Sequence, residues 1–101
     1  DSRKFTKSYR GEKIYVTVSH VDGVAAEVFI SFATEGRVDR EYRDAGWGFA
    51  TRMMSLGLSQ GISVDTIIKQ ACRAKRKNGD LPSIIVEVLE EFQGEMRKLH
   101  G

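Results

Sequence analysis

The sequence has very few of the residues that build cross-linked or metal-bound proteins. Its 101 residues include one cysteine, one proline and two histidines. A single cysteine cannot close an internal disulfide, and the two histidines lie far apart with no cysteine nearby. These shortages argue against a disulfide-rich secreted fold and give no metal or cofactor site. We therefore expect a reduced, cytoplasmic protein.

Long apolar runs and a strong charge of either sign are absent too. No run approaches the roughly 18 apolar residues of a membrane span, and a formal net charge of +2 is too small to indicate nucleic acid as a partner. Because 41% of the residues are hydrophobic and 30% are charged, a folded domain is expected. The first residue is Asp1, and we expect the chain to be trimmed or excised from a longer one.

With no repeat and no linker-like segment, the chain is expected to form one domain. Residues 1–12, "DSRKFTKSYRGE", are polar and basic with scattered aromatics. We interpret them as an N-terminal arm that could add a short edge strand. Residues 13–101 should then form a single domain in which strands come before helices, which is typical of an α+β fold.

A β-hairpin is predicted within "KIYVTVSHVDGVAAEVFISF", about residues 13–33, with its turn at Asp22 and Gly23. A two-residue loop would mix polar and apolar side chains on one face. A three-residue loop that ends at Gly23 gives one apolar face and is favoured. It pairs Ile14, Val16 and Val18 with Ile30, Val28 and Ala26, and it places Tyr15 opposite Phe29 on the other face.

Three helices are expected to cover this small antiparallel sheet, over about residues 41–60, 63–76 and 81–99. The predicted caps are Ser63 and Asp80, with a stop at Gln60 and Gly61. The residues at helical spacing that we expect to face inward are Tyr42, Gly46, Phe49, Ala50, Met53, Leu56 and Gly57 in the first helix, Val64, Ile67, Ile68 and Ala71 in the second, and Leu81, Ile85, Val88, Phe92, Met96 and Leu99 in the third.

The segment "GWGFAT", from Gly46 to Thr51, superficially resembles a phosphate-binding glycine loop. A dinucleotide fingerprint needs a preceding buried parallel strand and a βαβ unit, and a phosphate loop ends in Gly-Lys-Ser/Thr. Neither feature is present. We expect the glycines to allow close packing of a helix instead.

Two sets of side chains are candidates for binding. The interface set is Trp47, Tyr15, Phe29, Gly46 and Met54, for which an ordinary core role is the alternative. The anion-binding set is Arg43, Arg52, Arg73, Lys75 and Arg76, for which interaction with a helix C-terminus is the alternative.

No catalytic constellation is visible in the sequence. No serine is placed with a histidine and an acid, His20 falls at the hairpin, and His100 is nearly terminal. Cys72 is expected to be a small buried residue of the second helix and not a nucleophile. We therefore do not expect the isolated chain to be an enzyme.

The order and spacing of several segments resemble the TSCPD domain over about residues 8–93. The most specific parts are "EVFI" at Glu27–Ile30, Arg52 with Ser55, Leu56, Leu58 and Gly61, and Ile67 to Gln70. The Thr-Ser-Cys-Pro-Asp motif that names this family is represented by "GDLPS". Pro82 remains, whereas Leu81 stands at the cysteine position and Ser83 at the aspartate position. Leucine cannot bind a metal or exchange a disulfide, so a thiol role is not expected.

The TSCPD domain forms the C-terminal part of adenosylcobalamin-dependent ribonucleotide reductases and also occurs as a small separate protein. The resemblance implies a noncatalytic module in nucleotide metabolism that docks on a reductase-related protein or forms a homo-oligomer. The alternative is a sequestering or inhibitory protein that binds a nucleotide or another phosphorylated small molecule.

Overall fold

The computed structural model describes residues 1–33, 36, 40, 42 and 46–100, with the side chain of residue 100 excepted. Within these residues three strands precede three helices. The elements are β1 (Ser2–Tyr9), β2 (Glu12–Val21), β3 (Val24–Phe32), α1 (Trp47–Ser59), α2 (Val64–Ala74) and α3 (Leu81–His100). The sheet is antiparallel in the order β1-β2-β3. The predicted α+β class is confirmed.

Both strand connections are two-residue turns. Arg10 and Gly11 join β1 to β2, and Asp22 and Gly23 join β2 to β3. The φ angles are 52° at Arg10 and Asp22 and 79° at both glycines, as a type I′ turn requires. The predicted three-residue loop is therefore wrong, because a turn that matches the strand twist forms at Asp22–Gly23.

A bulge at Ala26 restores the apolar pairing that the two-residue loop would otherwise destroy. Next to the turn, His20 pairs with Ala25, and the register then shifts so that Ser19 pairs with Glu27. The extra residue brings every second side chain back onto one face. The observed pairs are Ile14–Phe32, Val16–Ile30 and Val18–Val28, with Tyr15 opposite Ser31 and Phe29 opposite Thr17.

Residues of the predicted N-terminal arm form a full edge strand. β1 pairs with β2 from Ser2 to Tyr9, so the sheet extends beyond the predicted residues 13–33. Phe5 contributes to the core. Lys7 Nζ lies 2.5 Å from Glu87 Oε1 and 2.6 Å from Glu91 Oε1, so β1 is also tied to α3.

The ends of α1 and α2 follow the predicted signals. α1 ends at Ser59, its C-cap residue is Gln60, and Gly61 follows at φ 94°. Ser63 caps α2 by accepting a hydrogen bond from Thr66 N–H at 3.1 Å. The predicted start of the first helix near residue 41 is not tested in full, because residues 41 and 43–45 lie outside the described part. The helix α1 itself begins at Trp47.

The core lies between the inner face of the sheet and α3. Val16, Val18, Ile85, Val88 and Phe92 are at most 1% exposed. α2 packs mainly against α3. The predicted inward stripes of α2 and α3 are confirmed, except that Leu99 is 72% exposed.

Candidate interaction surface

The helix α1 lies along the free edge of β3. Ser55 Oγ accepts a hydrogen bond from Val28 N–H at 2.9 Å and donates one to the Val28 carbonyl at 3.1 Å. A single hydroxyl therefore satisfies both outward-facing backbone groups of Val28. Because unpaired edge groups invite pairing with another chain, this contact protects β3.

A second polar contact holds the start of α1. Thr51 is 5% exposed, and its hydroxyl donates to the carbonyls of Trp47 and Gly48 at 3.1 and 3.2 Å. The buried Tyr42 hydroxyl forms a hydrogen bond with Thr51 Oγ1 at 3.2 Å. Burial raises the pKa of Tyr42 above its usual value, although the hydrogen bond with Thr51 acts in the opposite direction.

Because α1 turns these hydroxyls inward, its most apolar side chains point to solvent. Phe49 is 70% exposed, Met53 49% and Leu56 52%. Their spacing of four and three residues places them on one line, opposite Thr51 and Leu58. We call Phe49, Met53 and Leu56 the outer stripe. The prediction that these residues face inward is wrong, since the sheet edge requires hydrogen-bonding partners on the inner side of the helix.

The outer stripe is continued by Ile62, which is 46% exposed and follows α1. The Ile62 side chain packs against Gly57, where an added Cβ would lie 3.1 Å from Ile62 Cδ1. Together the four side chains expose on the order of 400 Å² of apolar surface, an area that in monomeric proteins is often functional. A helix that is apolar on opposite sides normally has partners on both.

The glycines of this segment have different roles. Gly46 is the N-cap residue of α1, with φ 77°, and a Cβ there would meet nothing within 4 Å. Gly48 has only an ordinary contact with Tyr42 at 3.8 Å. The close-packing explanation is therefore wrong for Gly46 and Gly48. Gly57 does have a close neighbour, but that neighbour is Ile62 in the turn after the same helix and not the sheet or another helix. Gly46 is required by its left-handed backbone.

The predicted interface residues do not form one surface. Trp47 and Met54 are half-buried and pack on the core, on the inner side of α1. Tyr15 and Phe29 lie on the open face of the sheet, where Phe29 is 49% exposed and Lys4 Nζ lies 4.9 Å from the centre of the Tyr15 ring. The outer stripe was missed as a surface, although its spacing was visible in the sequence.

The predicted anion-binding residues are only partly placed. Arg43 lies outside the described residues. Arg52 is exposed on α1, whereas Arg73, Lys75 and Arg76 are exposed at the end of α2. None of these four lines the cleft of about 460 Å³ that lies at the hairpin end of the molecule. An anion-binding role for them stays a prediction.

Within the described residues, no group of three or more His, Cys, Asp or Glu side chains could hold a metal ion. Cys72 is exposed, which corrects the prediction that it is buried. The ring of His20 packs on Phe92, with 5.4 Å between ring centroids. No helix of the described part is long and apolar enough to cross a membrane.

The "GDLPS" segment builds the start of α3. Asp80 Oδ1 accepts from Ser83 N–H at 3.0 Å, and Oδ2 accepts from Arg76 N–H at 2.8 Å and Lys77 N–H at 3.1 Å. Partial desolvation raises the pKa of Asp80, but these three donors and the charge of Lys75 outweigh it and lower the pKa below its usual value.

The leucine at the cysteine position of this motif belongs to the core. Leu81 is 2% exposed and Pro82 is buried in the first turn of α3. A side chain held there by packing is not available for thiol or metal chemistry at the surface. In this chain the motif is a helix cap followed by a packing residue.

A comparison with protein-family models matches residues 2–93 to the TSCPD domain. No curated protein and no solved structure matches the chain. The match includes β1, the whole sheet, α1, α2 and most of α3. The chain belongs to the TSCPD domain family.

Proposed function

We propose that this TSCPD domain is a noncatalytic association module and that the outer stripe of α1 is its contact surface. The observation that carries the proposal is the orientation of α1, which exposes 70% of Phe49 while Thr51 is buried. Exposure of these side chains to water is unfavourable by about 25 cal/mol per Å² of apolar surface, so covering them stabilises a complex with a partner.

The partner that we propose is a second copy of the chain or a protein related to ribonucleotide reductase. The reductase context is supported by the family, in which the domain is appended to adenosylcobalamin-dependent enzymes. A standard interface buries about 800 Å² on each side. The outer stripe with Ile62 would supply about half of that area, which fits the apolar centre of an interface with a polar rim.

The test is the mass of the protein in solution over a wide concentration range, alone and with a ribonucleotide reductase. We expect the wild-type chain to form a complex in at least one of these conditions. Met53→Asp places a charge in the middle of the outer stripe and should abolish formation of the complex. Asn78→Asp adds the same charge at an exposed turn, and this control should associate like the wild type.

Two results would contradict the proposal. One is a wild-type chain that stays monomeric up to millimolar concentration and does not bind the reductase. The other is a Met53→Asp variant that is folded by circular dichroism and associates as well as the Asn78→Asp control.

The alternative, binding of a nucleotide or another phosphorylated small molecule, is supported by the exposure of Arg52, Arg73, Lys75 and Arg76. A nucleotide that binds should stabilise the fold by roughly 2.7 kcal/mol at a hundredfold excess over its dissociation constant. A thermal-shift screen with Arg52→Ala and Arg73→Ala as comparison variants tests this. No shift with any nucleotide removes the alternative.

A further inference from the structure

A cleft of about 460 Å³ opens at the end of the molecule where the β2–β3 turn approaches the helices. Its walls come from the turn and the start of β3, from the start of α2, and from the second half of α3. Volumes of about 300–1,000 Å³ are typical of small-molecule sites. The apolar lining residues that the argument uses are Val24, Ala25, Phe92 and Met96, and Asp22 and Arg97 also line the cleft.

The cleft has an apolar floor. Phe92, Ala25 and Met96 are 1%, 3% and 9% exposed, whereas Val24 at the lip is 67% exposed. An aromatic or branched apolar group placed between Val24 and the floor would remove this exposed valine from water. The body of a ligand for the cleft is therefore expected to be apolar.

The charges at the rim indicate the polar part of the ligand. The Asp65 carboxylate already accepts a hydrogen bond from Gln93 Nε2 at 3.1 Å. The side chains of Asp22 and Arg97 are exposed and have no hydrogen bond or ion pair with another described residue. The rim thus carries two carboxylates and one guanidinium, and of these Asp22 and Arg97 have no partner among the described residues. A ligand with a single charge would match one of them and face repulsion from the other.

A buried polar atom without a partner belongs to His20, whose ring packs on Phe92 of this floor. His20 Nδ1 is the one buried side-chain nitrogen or oxygen in the described residues that has no hydrogen-bond partner. Its ring contacts Phe92, and His20 pairs with Ala25 across the sheet. Buried polar atoms that stay unpaired are uncommon. The hydrogen bonding of buried polar atoms is therefore less complete at this end of the core than elsewhere in the described residues.

We propose that the cleft binds a small zwitterion with an apolar body, of the class of apolar α-amino acids. The carboxylate of the ligand pairs with Arg97, its ammonium group pairs with Asp22, and its side chain lies on Phe92 and Met96. Two carboxylates at the rim disfavour polyphosphates, so this ligand class differs from nucleotides. The site is separate from the outer stripe and does not depend on the proposed association function.

The test uses three probes that share one phenyl group: L-phenylalanine, phenethylamine and 3-phenylpropionate. Each is titrated into the ¹⁵N-labelled wild-type chain while the amide resonances of Gly23, Val24, Ser63 and Gln93 are followed. We expect saturable shifts with L-phenylalanine at about 1 mM, as is usual for a ligand of this size. Each probe with one charge should bind about tenfold more weakly.

Two variants test which residues pair with the carboxylate and the ammonium group of the ligand. Arg97→Met should remove the preference for L-phenylalanine over phenethylamine, and Asp22→Asn should remove the preference over 3-phenylpropionate. Asparagine suits the positive φ at residue 22, so the turn is retained. Lys69→Met removes an exposed cation of α2 that does not line the cleft, and this control should bind all three probes like the wild type.

Three outcomes would overturn the proposal. The first is that no probe shifts the cleft resonances at 20 mM, or about twentyfold above the expected dissociation constant. The second is that 3-phenylpropionate or phenethylamine binds as tightly as L-phenylalanine. The third is that Arg97→Met keeps the wild-type preference. None of these outcomes bears on association through α1.

Discussion

The Ser55 hydroxyl, on the inner side of α1, should contribute more to stability than the Ser59 hydroxyl of the same helix. In the Ser55→Ala variant, Val28 loses the acceptor of its N–H at 2.9 Å and the donor to its carbonyl at 3.1 Å. Each group left unpaired in a buried site costs about 1–3 kcal/mol. Because this contact is only partly buried, we take the low end, about 1 kcal/mol for each group.

Alanine is a better helix former than serine by about 0.5 kcal/mol, which offsets part of this loss. The expected net loss in the free energy of unfolding is therefore about 1.5 kcal/mol. For a domain of this size that corresponds to a decrease in Tm of roughly 6–12 °C. Urea and thermal unfolding followed by far-UV circular dichroism measure both quantities.

Ser59→Ala is the matched control on the same helix. Ser59 is exposed, and its hydroxyl only donates to the Leu56 carbonyl of its own helix at 2.8 Å. This change should alter stability by less than about 0.5 kcal/mol. If Ser55→Ala and Ser59→Ala unfold at the same temperature, Ser55 does not stabilise the β3 edge and our explanation of the orientation of α1 is refuted.

Three further predictions concern the ion pairs and caps. Asp80→Ala should lower the free energy of unfolding by about 1 kcal/mol at pH 7. Because the pKa of Asp80 is lowered in the fold, the difference in free energy of unfolding between wild type and variant should shrink as the pH falls below about 4, which urea unfolding at several pH values measures. Desolvation lowers the pKa of Lys7, but its hydrogen bonds to Glu87 and Glu91 outweigh this effect and raise the pKa. The stabilisation of the fold by charged Lys7 is therefore fully present below about pH 10. As the pH rises beyond that, the wild type should lose more free energy of unfolding than Lys7→Met. Gly61→Ala should lower the free energy of unfolding by about 1 kcal/mol, because φ is 94°, whereas Gly94→Ala in α3, where a Cβ has open space, should raise it.

Much of the fold could be predicted because its signals are local. Ser63 and Asp80 mark the starts of α2 and α3, and Asp22–Gly23 marks the hairpin turn. The register was predicted wrongly because two requirements compete there. The Asp-Gly dipeptide favours a two-residue turn, whereas the apolar pattern requires the pairing of β2 with β3 to be shifted by one residue. The bulge at Ala26 satisfies both requirements.

The orientation of α1 could not be predicted from the apolar pattern, since that pattern gives the more hydrophobic side and not the side that faces the sheet. The inner side of α1 meets a strand edge, where Ser55 is a better neighbour than Met53 because it can form hydrogen bonds. The cleft was missed for a different reason. Asp22, Asp65 and Arg97 are far apart in sequence, and only the packing of α2 on α3 brings them together.

The outer stripe can be tested most directly through two adjacent methionines. Met53 is 49% exposed on the outer stripe, whereas Met54 is half-buried against the core. In hydroxyl-radical footprinting of a dilute sample, Met53 should be oxidised faster than Met54. At high protein concentration or with a ribonucleotide reductase, Met53 should become protected while Met54 stays unchanged. Equal oxidation of Met53 in the dilute, concentrated and reductase-containing samples would contradict association through α1.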